Sequence, residues 1–168
     1  MKASEFIGKT VIDQKGQEIG KITDIILKPK DCLIDKVLIS DGGVLSKKYF
    51  TITEKEIDAI GDYVIVKMSK TDTKERIDQE DVESLKNVEL NFKKLVGKTV
   101  ITSNGVELGT VEDIMIQPKE CLMENLVVKA KSELGKKSFT LENNEIADIK
   151  YYLILKIDFD SIEERIID

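Results

Sequence analysis

An all-β fold, two tandem small antiparallel β-barrels joined by a short helical linker, is what this sequence predicts, on three observations. The first is self-similarity. Gly16-Gln-Glu-Ile-Gly-Lys-Ile-Thr-Asp-Ile-Ile-Leu-Lys-Pro-Lys-Asp-Cys-Leu33 returns as Gly105-Val-Glu-Leu-Gly-Thr-Val-Glu-Asp-Ile-Met-Ile-Gln-Pro-Lys-Glu-Cys-Leu122, an ungapped shift of 89 positions. From Gly8 to Lys67 roughly 25 of about 60 positions are identical across that shift, far above chance, and the prolines, cysteines and arginines (Pro29/Pro118, Cys32/Cys121, Arg76/Arg165) keep register. The second is a series of short apolar runs separated by turn residues, the pattern of half-buried strands. The third is a glycine inside the longest run of each copy, Gly20 and Gly109, which marks a bulge or the corner of a small barrel.

The repeat divides the chain into residues 1–78, a linker at 79–93 and residues 94–168. After a lead-in, Met1 to Phe6, the alternation from Ile7 to Asp13 predicts a first strand. Asp13 to Gly16 turns, and Glu18 to Leu27 is a long second strand that Pro29 ends, because proline cannot donate to a ladder. Cys32 to Ile39, Tyr49 to Ile52 and Asp62 to Lys67 are further strands, with one helical turn expected between Glu54 and Ile60 and a sixth piece at Thr73 to Asp78. The Asp41-Gly-Gly43 loop and Tyr49 belong to copy one alone, and Tyr151 to copy two alone. In the linker, Val82, Leu85 and Val88 recur every three residues, which suits a short amphipathic helix. Modules this small bury little apolar area, so the copies are expected to pack on each other or on another chain.

A net charge of −6 with few clustered basic side chains argues against nonspecific nucleic-acid binding. No stretch reaches the length of a membrane span and the first residues lack an apolar signal core, so a cytoplasmic location is expected. The absence of histidine excludes His-based catalysis and His-ligated metal sites within the chain. One cysteine per copy, each inside an apolar run, reads as a free buried thiol.

The remaining constellations are weak as chemistry. Gly16-x-x-x-Gly20 lacks the Gly-Lys-Ser/Thr ending of a phosphate loop, and Ser46 and Thr51 have no base to activate them. Glu54/Glu56 and Glu163/Glu164 read as solvated surface. No catalytic, metal or cofactor site is expected. Asp24 and Asp113 sit amid apolar strands, where an unpartnered carboxylate is costly. Two readings stand: Asp24 pairs with Arg76 and Asp113 with Arg165, closing each barrel's end onto its start, or each aspartate accepts turn amides and each arginine is solvated.

The doubled pattern Gly8, Gly16, Ile19, Gly20, Ile22, Asp24, Ile25 and Gly97, Gly105, Leu108, Gly109, Val111, Asp113, Ile114 resembles the PRC-barrel domain. That family includes a domain of the photosynthetic reaction centre H subunit and the C-terminal part of ribosome maturation factors. The resemblance implies a binding role rather than catalysis. The doubled form is similar to the archaeal cell-division B group, which implies an adaptor that binds a SepF-type membrane anchor and, through it, FtsZ, as a homodimer at the division site. A module for ribosome maturation or RNA processing is the alternative.

Overall fold

The computed structural model describes residues 1–28, 30–31, 33–43, 45–79, 82–135 and 137–167. The first module contains helix α1 (Ala3–Phe6), strands β1 (Thr10–Ile12), β2 (Glu18–Lys28), β3 (Leu33–Asp41), β4 (Lys48–Ile52), β5 (Ile57–Ile60) and β6 (Val64–Val66), and helix α2 (Lys70–Gln79). A short helix, α3 (Val82–Lys86), follows. The second module repeats the order with α4 (Phe92–Leu95), β7 (Thr99–Ile101), β8 (Glu107–Gln117), β9 (Leu122–Ala130), β10 (Ser138–Glu142), β11 (Ile146–Ile149), β12 (Leu153–Leu155) and α5 (Phe159–Ile166).

Local chemistry explains most of these elements. Asp13 Oδ1 accepts the backbone N–H groups of Lys15 and Gln17, both at 2.9 Å, and so builds the β1–β2 turn. Thr102 does the same work in copy two, its hydroxyl accepting from Val106 at 2.9 Å. Glu18 and Gly20 pair with the consecutive residues Ile12 and Val11, which places the expected bulge at Gly20, and Gly109 repeats it opposite Val100.

Two expectations are corrected. The sixth piece is helical. Ser69 and Asp72 exchange hydrogen bonds across the first turn of α2, with Ser69 N–H to Asp72 at 3.0 Å and Asp72 N–H to Ser69 at 3.3 Å, a capping box that starts a helix where a strand was read. Nor is each barrel wholly antiparallel. The chain returns after β4 through a 3₁₀ turn at Glu54–Glu56 and the β5–β6 hairpin, which lays β6 parallel to β1; β12 lies parallel to β7 for the same reason. The expected end of β2 at Pro29, and Cys32, lie outside the described residues.

Each module is thus a curled sheet of order β4-β3-β2-β1-β6-β5, or its equivalent, and the two join through a β3–β9 pairing of Leu33 with Leu122 into one 12-stranded sheet. A single apolar cluster runs through both, from Phe6, Ile22, Ile25 and Phe50 to Leu95, Val111, Ile114 and Phe139. Burying the two faces against each other supplies the core that one small module lacks. A second small cluster places Leu85 of α3 against Ile26 and Leu38, with Val88 beside it, on the outer face of β2; the side chain of Val82, the third member of the linker's apolar spacing, lies outside those described.

Candidate functional site

The motif aspartates meet at the seam between modules. Asp24 Oδ1 accepts the N–H of Ile25 at 2.8 Å and that of Lys93, in α4, at 3.4 Å. Asp113 Oδ1 accepts from Ile114 at 2.8 Å and from Ser4, in α1, at 3.2 Å, and the Ser4 hydroxyl donates to its other oxygen. Ser4 and Lys93 occupy equivalent positions, so each module's aspartate holds the lead helix of the other. The flanking backbone repeats the exchange. Leu27 N–H donates to the Leu90 carbonyl at 3.0 Å, and Ile116 N–H to the Met1 carbonyl at 2.8 Å. Burial pushes the Asp24 carboxyl above the usual range, opposed by the Ile25 and Lys93 N–H groups.

The pairings Asp24–Arg76 and Asp113–Arg165 are not the ones formed. Arg76 makes a two-pronged pair with Glu56 at 2.8 and 2.6 Å and donates to the Thr51 carbonyl at 3.0 Å. Arg165 repeats this with Glu145 at 2.9 and 2.5 Å. Neither arginine is simply solvated, so the alternative reading is corrected as well. The amides its aspartates accept belong to their own strands and to the other module's lead helices, not to turns. The physical reason is reach. Each arginine lies in the helix that closes its own barrel, over the fourth strand and the 3₁₀ turn, while each aspartate is drawn to helix N–H groups at the seam. Burial raises Glu56, but the Arg76 pair and the Thr53 N–H outweigh it and hold the carboxyl low; Arg165 lowers Glu145. Glu56, read as solvated, is therefore structural.

The glycines of the motif serve the backbone. Gly8, Gly16, Gly97 and Gly105 take positive φ. At Gly20 a Cβ would lie 2.4 Å from the Ser40 carbonyl oxygen, and at Gly109 1.9 Å from that of Lys129, because neighbouring strands cross there almost in contact. Cys121 is half-buried rather than buried, and Glu54 accepts its thiol proton across the seam, so that burial and this carboxylate push the thiol up to about 11. Thr51 is buried in β4, while Ser46, Glu163 and Glu164 are exposed. Among the described residues no three potential ligands cluster as a metal site, and no helix is long and apolar enough to cross a membrane.

The model of the PRC-barrel domain matches this chain twice, over residues 1–72 and 87–166. This chain belongs to the PRC-barrel family. No curated protein matches it. Among solved structures it is similar to the 16S ribosomal RNA processing protein RimM of Pseudomonas aeruginosa, at 16% identity over 92% of this chain and 98% of that one, with a TM-score of 0.35.

The two PRC barrels present unequal surfaces. At the tip of the β11–β12 hairpin Tyr151 is 81% and Tyr152 47% exposed, with ring centroids 5.0 Å apart, edge to face. Val96 is exposed beside them, and Lys94 and Lys98 line the same shallow depression. The equivalent tip of the first barrel has Asp62 and Tyr63. The aromatic pair was half legible in the sequence, since Tyr151 belongs to copy two alone.

Proposed function

We propose that this tandem PRC-barrel chain is a non-enzymatic adaptor that joins other proteins. The observation that carries the reading is the exposed tyrosine pair at Tyr151 and Tyr152, with Val96 beside it. Rigid, amphipathic side chains held at the surface of a well-packed barrel give contact area at little entropic cost. Of the open grooves nearby, one mixes lysine and carboxylate side chains and the depression around the tyrosines holds lysines alone as charged groups, linings that suit a protein surface better than a small substrate.

The finer part of the proposal rests on the doubled motif. Its similarity to the archaeal cell-division B group supports a role in FtsZ-based division, in which the chain binds a SepF-type membrane anchor from the cytoplasm at the division site, alone or as a homodimer. Affinity capture of the tagged full chain from its own cells tests this, with bound proteins identified and bound nucleic acid assayed at low and high salt. Recovery of the SepF-type anchor without RNA is the expected result. Retention of ribosomal proteins or of RNA that salt displaces would overturn it in favour of a ribosome-maturation module.

A further inference from the structure

The strands β5 and β11 end the main path of the 12-stranded sheet, β4 and β10 being edge strands off it, so among the described residues β5 and β11 each offer an edge that no other strand pairs with, and such edges accept further strands. The two edges are treated differently. Lys119 lies across the first, its Nζ donating to the Asp58 carbonyl at 2.8 Å. At the second, Ala147 stands where β5 has Asp58, and Lys30 where the first edge has Lys119. Among the described residues Lys30 makes no hydrogen bond or ion pair, and a groove of about 670 Å³ runs beside the strand, between Ile146–Lys150 on one wall and Lys30, Asp31 and Glu89 on the other.

That groove ends at Lys150, where the tyrosine tip begins. Lys98 Nζ donates to the Lys150 carbonyl, which joins the two surfaces. The depression around Tyr151 and Tyr152 has two ammonium groups in its lining, Lys94 and Lys98, and no carboxylate. Lys94 is bonded to the Val88 carbonyl at 2.5 Å, so among the described residues neither charge is neutralised by an acid. In a chain of net charge −6 this is a local reversal of sign, and it is complementary to an acidic ligand.

We propose that β11 and the Tyr151–Tyr152 tip form one docking site for an extended, acidic segment of a partner protein. The segment adds to the outer edge of β11 as a further strand, as peptides do on exposed sheet edges, its backbone pairing with groups that β12 leaves free and displacing the Asp148 carboxylate that accepts the Ile149 N–H at 2.9 Å. Its apolar side chains lie against the tyrosine rings, and its carboxylates face Lys94 and Lys98. β11 has four residues, so the backbone register is short and the aromatic and charged contacts at the tip must supply much of the selectivity. The proposal rests on the adaptor reading and names its contact surface.

The test is a titration of the isotope-labelled full chain, followed by amide resonances, with a blocked peptide of alternating valine and glutamate and with its valine–lysine counterpart. The glutamate peptide is expected to shift the amides of Ala147, Asp148, Tyr151 and Tyr152, to leave those around Asp58 in place, and to bind at least tenfold more tightly than the lysine peptide. Tyr151→Ser and Lys98→Glu, which leave β11 intact, should each weaken it at least fivefold, and Ala147→Pro should abolish it. No shift at β11 at millimolar peptide, equal binding of the two peptides, or shifts there that depend on protein concentration without peptide would overturn the proposal, the last by making a second copy the occupant. Capture of a SepF-type anchor by the wild type and equally by Lys98→Glu would sink this site and spare the adaptor reading. Failure of the wild type to capture any protein would sink the adaptor reading instead.

Discussion

The backbone N–H of Ser4 donates to Asp113 at 3.2 Å, and its counterpart, from Lys93 to Asp24, spans 3.4 Å, so that each PRC barrel's motif aspartate terminates the lead helix of the other. Such an exchange predicts that the two barrels unfold as one unit. Replacing Asp113 with alanine strands the N–H and hydroxyl of Ser4, in α1, and the N–H of Ile114 at a part-buried seam, which costs about 1–3 kcal/mol. Asp113→Asn keeps an acceptor and should lose less. Denaturant unfolding of both variants should show a single transition with coincident probes in each barrel, and a double-mutant cycle with Ser4→Ala should be non-additive. Two separate transitions, or strict additivity, would remove the seam from the account.

The arginine pairs lock each barrel's closing helix. Arg165 reaches Glu145 with two parallel bonds and the Thr140 carbonyl with a third contact at 3.4 Å. Its side chain is partly exposed, so Arg165→Ala should cost about 1 kcal/mol, the upper end for solvent-exposed ion pairs. Lysine cannot span both carboxylate oxygens, so Arg165→Lys should restore less than half of the loss. Full rescue by lysine in thermal unfolding would show that only charge matters there.

Acid should act on Glu145 and Asp24 in opposite senses. Glu145 is held low by Arg165 in the folded chain, so its contribution is present above the unfolded carboxylate range, near about pH 4, and is lost as pH falls through the lower folded value. Asp24 is raised, first by burial. The folded state then binds its proton more tightly than the unfolded chain does, so ionised Asp24 carries a penalty above its folded value that lifts as pH falls through it. The destabilisation caused by Glu145→Gln should therefore shrink on acidification below about pH 4. Asp24→Asn should stabilise most at neutral pH and its gain should fade in acid. Parallel pH profiles for the two variants would contradict this.

The Cys121 thiol, pushed up to about 11 by burial and by the Glu54 carboxylate, should resist alkylation. In a Cys32→Ser background at pH 8, its rate should lie about two orders of magnitude below that of an ordinary thiol, because only the thiolate reacts. Adding Glu54→Gln should accelerate it. A rate equal to that of a free cysteine, unmoved by Glu54→Gln, would mean that the seam leaves the thiol untouched.

The parts of this fold that the sequence made legible are local. The alternation around Val11, the turn at Asp13–Gly16 and the glycine inside β2 each act within a few residues, and the duplication tested every one of them twice. Partners across space were not legible. Arg76 had many acidic residues to choose among, and nothing near it in sequence marks Glu56, 20 positions away. Asp24 is the clearer lesson: its helix partner belongs to the other module, an exchange that no periodicity encodes. The α2 helix was legible in principle, through Ser69-x-x-Asp72, but the polar run after it hid the signal. At the docking edge, Asp58 against Ala147 is visible in the aligned copies, whereas the contact that covers the first edge runs from Lys119 to the Asp58 backbone carbonyl, which side-chain identity does not reveal.

The strand crossings give a ranking that separates steric need from turn geometry. Gly105 takes φ +86 with open space where a Cβ would sit, so Gly105→Ala meets only the left-handed backbone cost of about 1–2 kcal/mol. Gly20 lacks a positive φ, yet its Cβ would stand 2.4 Å from the Ser40 carbonyl oxygen, an atom of the ladder that cannot rotate away. Gly109 combines φ +151 with a contact of 1.9 Å to the Lys129 carbonyl oxygen. Overpacking against backbone costs about 1–3 kcal/mol or more, and at Gly109 it adds to the strain of an L residue at that φ. Thermal unfolding of the three alanine variants should therefore rank Gly109 as the most damaging, Gly20 next and Gly105 least. A Gly20→Ala variant as stable as the parent would show that β2 and β3 can part at the crossing, and that the bend in β2 does not depend on glycine.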